Sequence, residues 1–122
     1  MTEHELRTEI ARFIVDRVEH ADTVTRYRRP LVGFADADDP AWPRLREIAE
    51  PSHLLPADLL AGAQSVVAFF LPFSEETVRA NRRAEGTAPE WATAYFETNA
   101  LINAIAQELI AWLGDRGIAA AA

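Results

Sequence analysis

Few side chains in this 122-residue sequence are equipped for chemistry, and they fall in small groups. Residues 26–29 read "RYRR", three guanidinium groups around one phenol, suited to phosphate contact or to stacking of arginine on an aromatic ring. They suit a solvated linker as well, since basic residues are common on any protein surface. Residues 36–39 read "DADD", where three carboxylates offer a cation or amine site. The cluster lacks the glycine and the distal glutamate of a calcium loop, and Asp38 or Asp39 is also placed to cap the helix that follows. His4, His20 and His53 are far apart and show neither HxxxH nor HExxH spacing. His4 and His20 read as solvated ends of one helix, with His20 favourably near its negative terminus. No glycine-rich phosphate loop and no Ser–His–Asp order can be drawn. Cysteine is absent, which removes disulfides, thiolate metal sites and cluster ligation from this chain's own chemistry.

The densest run of uncommitted polar side chains is residues 72–89, directly behind the apolar run "SVVAFFLPF". It holds Ser74, Glu75, Glu76, Arg79, Asn81, Arg82 and Arg83. In open α/β sheets ligands bind where loops leave the carboxyl ends of strands. That argument makes Pro72, Phe73 and Ser74 candidate cofactor- or substrate-binding residues. The connection exceeds the usual strand-to-helix length, and loops of that kind either carry function or are disordered. Tyr95 and Asn99, four apart in the next helix, share a face that converges with the loop on the same crevice. Tyr95 equally suits a core position with its hydroxyl at the rim. No catalytic residue and no metal ligand is assigned.

The elements that must position these groups follow from periodicity and punctuation. Residues 3–19 predict an amphipathic helix on Leu6, Ile10, Phe13, Ile14 and Val18, capped by Thr2, with Glu3–Arg7 and Arg12–Asp16 on the wet face. "PLVGFAD" predicts a short strand. Pro40 fits the first turn of a helix whose buried stripe is Trp42, Leu45 and Ile48, ended by Pro51. "LLPADLLAGA" predicts a single turn stopped by Gly62. "SVVAFF", β-branched and aromatic without alternation, predicts a strand covered on both faces. Residues 89–113 predict a long helix with Trp91, Ala94, Tyr95, Thr98, Leu101, Ile102, Ile105, Leu109, Trp112 and Leu113 in one stripe. Gly114 and Gly117 close it, and "GIAAAA" begins another strand.

Strand, crossover helix, strand is the right-handed parallel unit. The expected fold class is therefore α/β: a small parallel or mixed sheet with a β-α-β unit and extra N-terminal helices. One domain spans residues 1–122, with a helix and linker over 1–29 and the α/β core over 30–122. The pattern stops inside a strand, so the domain reads as incomplete or truncated.

Hydrophobic content of 49% and charged content of 25% are ordinary globular values. The longest apolar run, residues 66–73, is too short to span a bilayer, and "MTEHELRTE" does not resemble a secretory signal. The expected location is the cytoplasm. A net charge of −7 repels phosphate backbones and argues against autonomous nucleic-acid binding.

Three segments, "PLVGFADADDP", "PSHLLPADLLAGAQSVVAFFLPF" and "WATAYFETNALINAIAQELIAWLGDRGI", resemble the N-terminal region of epoxyqueuosine reductase-like iron–sulfur proteins, and residues 30–118 keep that family's order. The resemblance implies a cytoplasmic oxidoreductase whose N-terminal domain holds cobalamin. It also implies a ferredoxin-like C-terminal part, absent here, that carries two [4Fe-4S] clusters. The namesake acts on tRNA, so tRNA is an implied partner of a full-length protein. The true reductases tend to read Asp-Tyr-His after the loop, whereas this chain has Ala94-Tyr95-Phe96, and only Tyr95 carries over. The expected function is the corrinoid-side portion of such an oxidoreductase, catalytically incomplete alone. The alternative is a stand-alone module. It either self-associates through the helix of residues 6–18 or an unpaired sheet edge, or binds a small ligand at the loop after Pro72.

Overall fold

The computed structural model describes residues 1–83 and 89–122. Helix α1 (Glu3–Glu19) forms where the apolar period places it. Its start carries a capping box: the Glu5 N–H donates to the Thr2 hydroxyl at 3.1 Å, and the Thr2 N–H to the Glu5 carboxylate at 3.0 Å. Strand β1 (Leu31–Asp36) and strand β2 (Ser65–Phe70) are separated by helix α2 (Ala41–Ile48) and the single turn α3 (Pro56–Leu59). Helices α4 (Glu75–Arg83) and α5 (Pro89–Gly114) complete the chain.

The sheet corrects the expected topology. The fold is mixed helix and strand, but β1 and β2 pair antiparallel, from Leu31 opposite Phe70 to Asp36 opposite Ser65. Residues 37–64 act as a long hairpin connection, closed where the Ala37 N–H donates to the Gln64 carbonyl at 2.9 Å. The parallel unit required "GIAAAA" to form a strand beside β2, and residues 118–122 carry no strand structure. Alanine has little side chain to pack on a pleated surface. Ile118 and Ala120 nonetheless rest against the core while Ala119 is exposed. Gly117 makes the turn into this segment at φ 75°, a left-handed conformation that glycine adopts without steric cost.

The core lies between the ribbon and two helices. Ile10, Phe13, Ile14 and Val18 of α1 meet Ile105, Leu109 and Leu113 of α5 and Leu71. The helices run antiparallel: Phe13 meets Trp112 with ring centroids 5.4 Å apart, and one turn on Arg17 pairs with Glu108 at 2.7 Å. The ribbon presents the opposed pairs Val32–Phe69 and Phe34–Val67 to this core. Its other face carries Leu31 opposite Phe70 and Gly33 opposite Ala68, with Leu31 63% and Phe70 61% exposed. "SVVAFF" is thus covered on one face, not on both.

Two further expectations change. Helix α2 buries no residue, and Ile48 of its supposed stripe is 70% exposed. The helix is held at its N-terminal end instead. Its Ala41 N–H donates to the Asp39 carboxylate at 2.8 Å, and the Trp42 indole N–H to the Asp36 carbonyl at 2.7 Å. Tyr95 leaves the stripe of α5 and is 62% exposed.

Candidate functional site

The polar segment behind β2 begins as an extension of the sheet. Tyr27 forms an antiparallel bridge with Phe73. The Ser74 N–H donates to the Arg26 carbonyl at 2.9 Å and the Arg28 N–H to the Pro72 carbonyl at 2.8 Å. Between this bridge and the Leu31–Phe70 pair, residues 28–30 oppose only residues 71–72, so the strand bulges. Pro30 and Pro72 both fall inside the bulge, where their missing N–H groups interrupt no ladder bond.

Aromatic rings lock the junction. Phe73 meets Trp91 edge-on at 5.1 Å and 78°, and Tyr27 at 6.2 Å. The Tyr27 hydroxyl shares a 2.7 Å hydrogen bond with the Thr98 hydroxyl. Burial of the Tyr27 phenol raises its pKa above 10.0, outweighing the opposing hydrogen bond to Thr98. Next to Thr98 in the chain, Glu97 grips the linker. Its carboxylate accepts from the Thr25 hydroxyl at 2.7 Å, the Thr25 N–H at 2.8 Å and the Val24 N–H at 2.9 Å. These bonds, led by the Thr25 hydroxyl, hold the Glu97 carboxyl below its ordinary value of 4.5.

The five residues expected to bind a ligand are therefore placed as follows. Pro72 and Phe73 are built into the bulge and the aromatic lock. The Ser74 hydroxyl lies 3.3 Å from the Thr77 hydroxyl at the start of α4, and its N–H is spent on Arg26. Tyr95 leans edge-on against Phe96 at 5.6 Å in solvent, and Asn99 is exposed. Residues 75–83 of the supposed loop are helix α4, tied by an Arg79–Glu75 pair at 2.6 Å. Residues 84–88 and the side chains of Asn81 and Arg83 lie outside the described residues. The antiparallel pairing removes the premise of the crevice argument, because the carboxyl ends of the two strands lie at opposite ends of the ribbon. Sequence reasoning passed over Thr25, Tyr27, Glu97 and Thr98 as a unit. The signal was there: a carboxylate interrupting the apolar surface of α5, and a phenol alternating with arginines.

Two hollows among the described residues bear on these groups. One, of about 250 Å³, is lined by Arg26, Arg28 and Arg29 beside the last turn of α1. Within that segment the Arg28 Nε donates to the Phe73 carbonyl at 2.9 Å. The other, of about 950 Å³, runs between α1, β2, the second half of α5 and residues 118–122, over Leu6, Val67, Phe69 and Leu109. Neither is lined by Pro72, Phe73, Ser74, Tyr95 or Asn99. The polar groups of these five residues are spent locally or stand apart in solvent. Among the described residues no group of three His, Cys, Asp or Glu side chains is placed to hold a metal ion. "DADD" serves as the α2 cap. Among those residues no helix is long and apolar enough to cross a membrane. No family model matches the chain, and neither a curated protein nor a solved structure matches it.

Proposed function

We propose that this chain is the N-terminal portion of an epoxyqueuosine reductase-like iron–sulfur oxidoreductase, and that its own contribution is a docking wall for the cluster-bearing part. The order of the segments over residues 30–118 supports the family. The observation that carries the docking role is the uncovered ribbon face, with Leu31 and Phe70 both more than 60% exposed on opposed strand positions. Two-stranded ribbons are marginal alone, and apolar faces of this kind mark interaction surfaces. In this reading the clusters gain their ligands from the cysteine-bearing part. The positions around Phe73 keep the wall rigid. The coding sequence downstream of Ala122 tests the reading: an open frame with CxxCxxCxxxCP-type cysteines supports it. A frame that continues without cysteines, or a stop codon with no cluster-bearing chain that binds this one, refutes it.

A second reading, a self-associating module, is favoured by one specific feature. Strand β1 has no neighbour on its far side among the described residues.

A further inference from the structure

We propose that two copies of this chain join edge to edge through β1, antiparallel about a two-fold axis at Gly33, to form a four-stranded sheet. The proposal deepens the self-association reading and leaves the redox reading standing whichever way its test falls.

Three observations carry it. Beyond its bonds to β2, no residue from 31 to 35 makes a hydrogen bond among the described residues, so within that stretch every second N–H and C=O faces outward unpaired. Natural sheet edges are blunted by lysine, proline or inward charge, and residues 31–35, "LVGFA", carry none of these. The outer face beside this edge is also open at the strand's centre, where a Cβ at Gly33 would meet nothing within 4 Å.

Charge then selects the partner. Arg28 and Arg29 stand just ahead of β1, while Asp36, Asp38 and Asp39 stand at its other end, all exposed. An antiparallel two-fold is the arrangement that brings the basic end of each copy to the acidic end of the other. With the axis at Gly33, Leu31 faces the second copy's Ala35 and Val32 faces its Phe34. Arg28 and Arg29 run out opposite its residues 36–39. The contact is isologous and closes on itself, so it ends at two copies. A parallel pairing sets like charges together, which is unfavourable between neighbouring strands. The product has four strands where the single chain has two, and it doubles the apolar outer face.

Arg29 and Asp38 suit the test, because neither side chain has a hydrogen bond or ion pair among the described residues. Sedimentation equilibrium of the chain at low salt, from micromolar to millimolar concentration, should show a monomer–dimer equilibrium. Arg29→Asp alone and Asp38→Arg alone should each weaken it at least about tenfold, by turning two attractive contacts repulsive. An equimolar mixture of the two variants should dimerise again, since both contacts across the axis then pair a carboxylate with a guanidinium. The chain carrying both substitutions should do the same. A wild-type chain that stays monomeric throughout overturns the proposal. So does a dimer indifferent to both substitutions, or a mixture that stays monomeric while circular dichroism shows both variants folded.

Discussion

Phe73 separates a binding role from a structural one, and its replacement by alanine has a cost that follows from its contacts. The ring is half-buried, edge-on to Trp91 at 5.1 Å and near Tyr27 at 6.2 Å. Truncating a fully buried phenylalanine costs about 3–5 kcal/mol, and half that burial leaves about 2 kcal/mol. Loss of the edge-on pair adds about 0.5–1 kcal/mol. The expected destabilisation of Phe73→Ala is thus about 2–3 kcal/mol, which for a chain of this length lowers Tm by about 10 °C. Urea unfolding followed by far-ultraviolet circular dichroism reads it, with an unchanged m-value expected because the surface exposed on unfolding is the same. Phe73→Leu should recover part of the loss, and Tyr95→Ala should stay within about 0.5 kcal/mol, its ring being exposed. A Phe73→Ala variant that unfolds within about 0.5 kcal/mol of wild type would refute the aromatic lock.

The remaining predictions concern the linker, the core and the corrinoid. Glu97 has a folded pKa below 4.5, so its stabilising contribution is present above that value and is lost as pH falls through the lowered one. Urea midpoints measured from roughly pH 3 to 7 should therefore show an acid-side loss in wild type that Glu97→Gln lacks, with the variant weaker at neutral pH. A variant as stable as wild type at neutral pH would show that the grip on residues 24–25 contributes nothing. Ile14 and Ile105 are the largest fully buried side chains, and each substitution to alanine should cost about 2–5 kcal/mol. A loss under about 1 kcal/mol at either site, by the same unfolding assay, contradicts the core assignment. Hydroxocobalamin passed with the chain through a desalting column should not be retained. Co-elution with shifted visible bands would show that the chain holds a corrinoid bed after all.

What the sequence made legible is local. The α1 stripe of Ile10, Phe13, Ile14 and Val18 is buried as its period requires, because a seventeen-residue helix carries enough turns for the pattern to be unambiguous. Asp39 caps α2, and Gly117 takes a positive φ after α5. These depend on neighbours within one turn. Strand pairing depends on residues 37–64 folding back, and no short-range pattern states whether that connection returns antiparallel or crosses over. The site suffered for the same reason. Tyr27, Glu97 and Thr98 meet only because residues 23–28 run back along α5, a contact across more than seventy positions in the chain.

The absence of alternation in "SVVAFF" predicts burial on both faces, and the structure gives the same pattern a different physical meaning. Val67 and Phe69 face the helices, while Ala68 and Phe70 face outward beside Leu31 and Gly33. An outer face under no demand beyond solvation would favour polar residues, as half-covered antiparallel sheets usually show. Here both opposed strands are apolar outside, and opposite charges are confined to the two ends of β1. The strand is written for a sheet larger than the one a single chain builds. Partners that widen the ribbon and partners that cover it therefore answer one feature of the sequence. Replacing Phe70 by aspartate distinguishes them. It should abolish docking on the outer face while sparing an edge-to-edge dimer, whose contacts lie across β1 on the far side from β2.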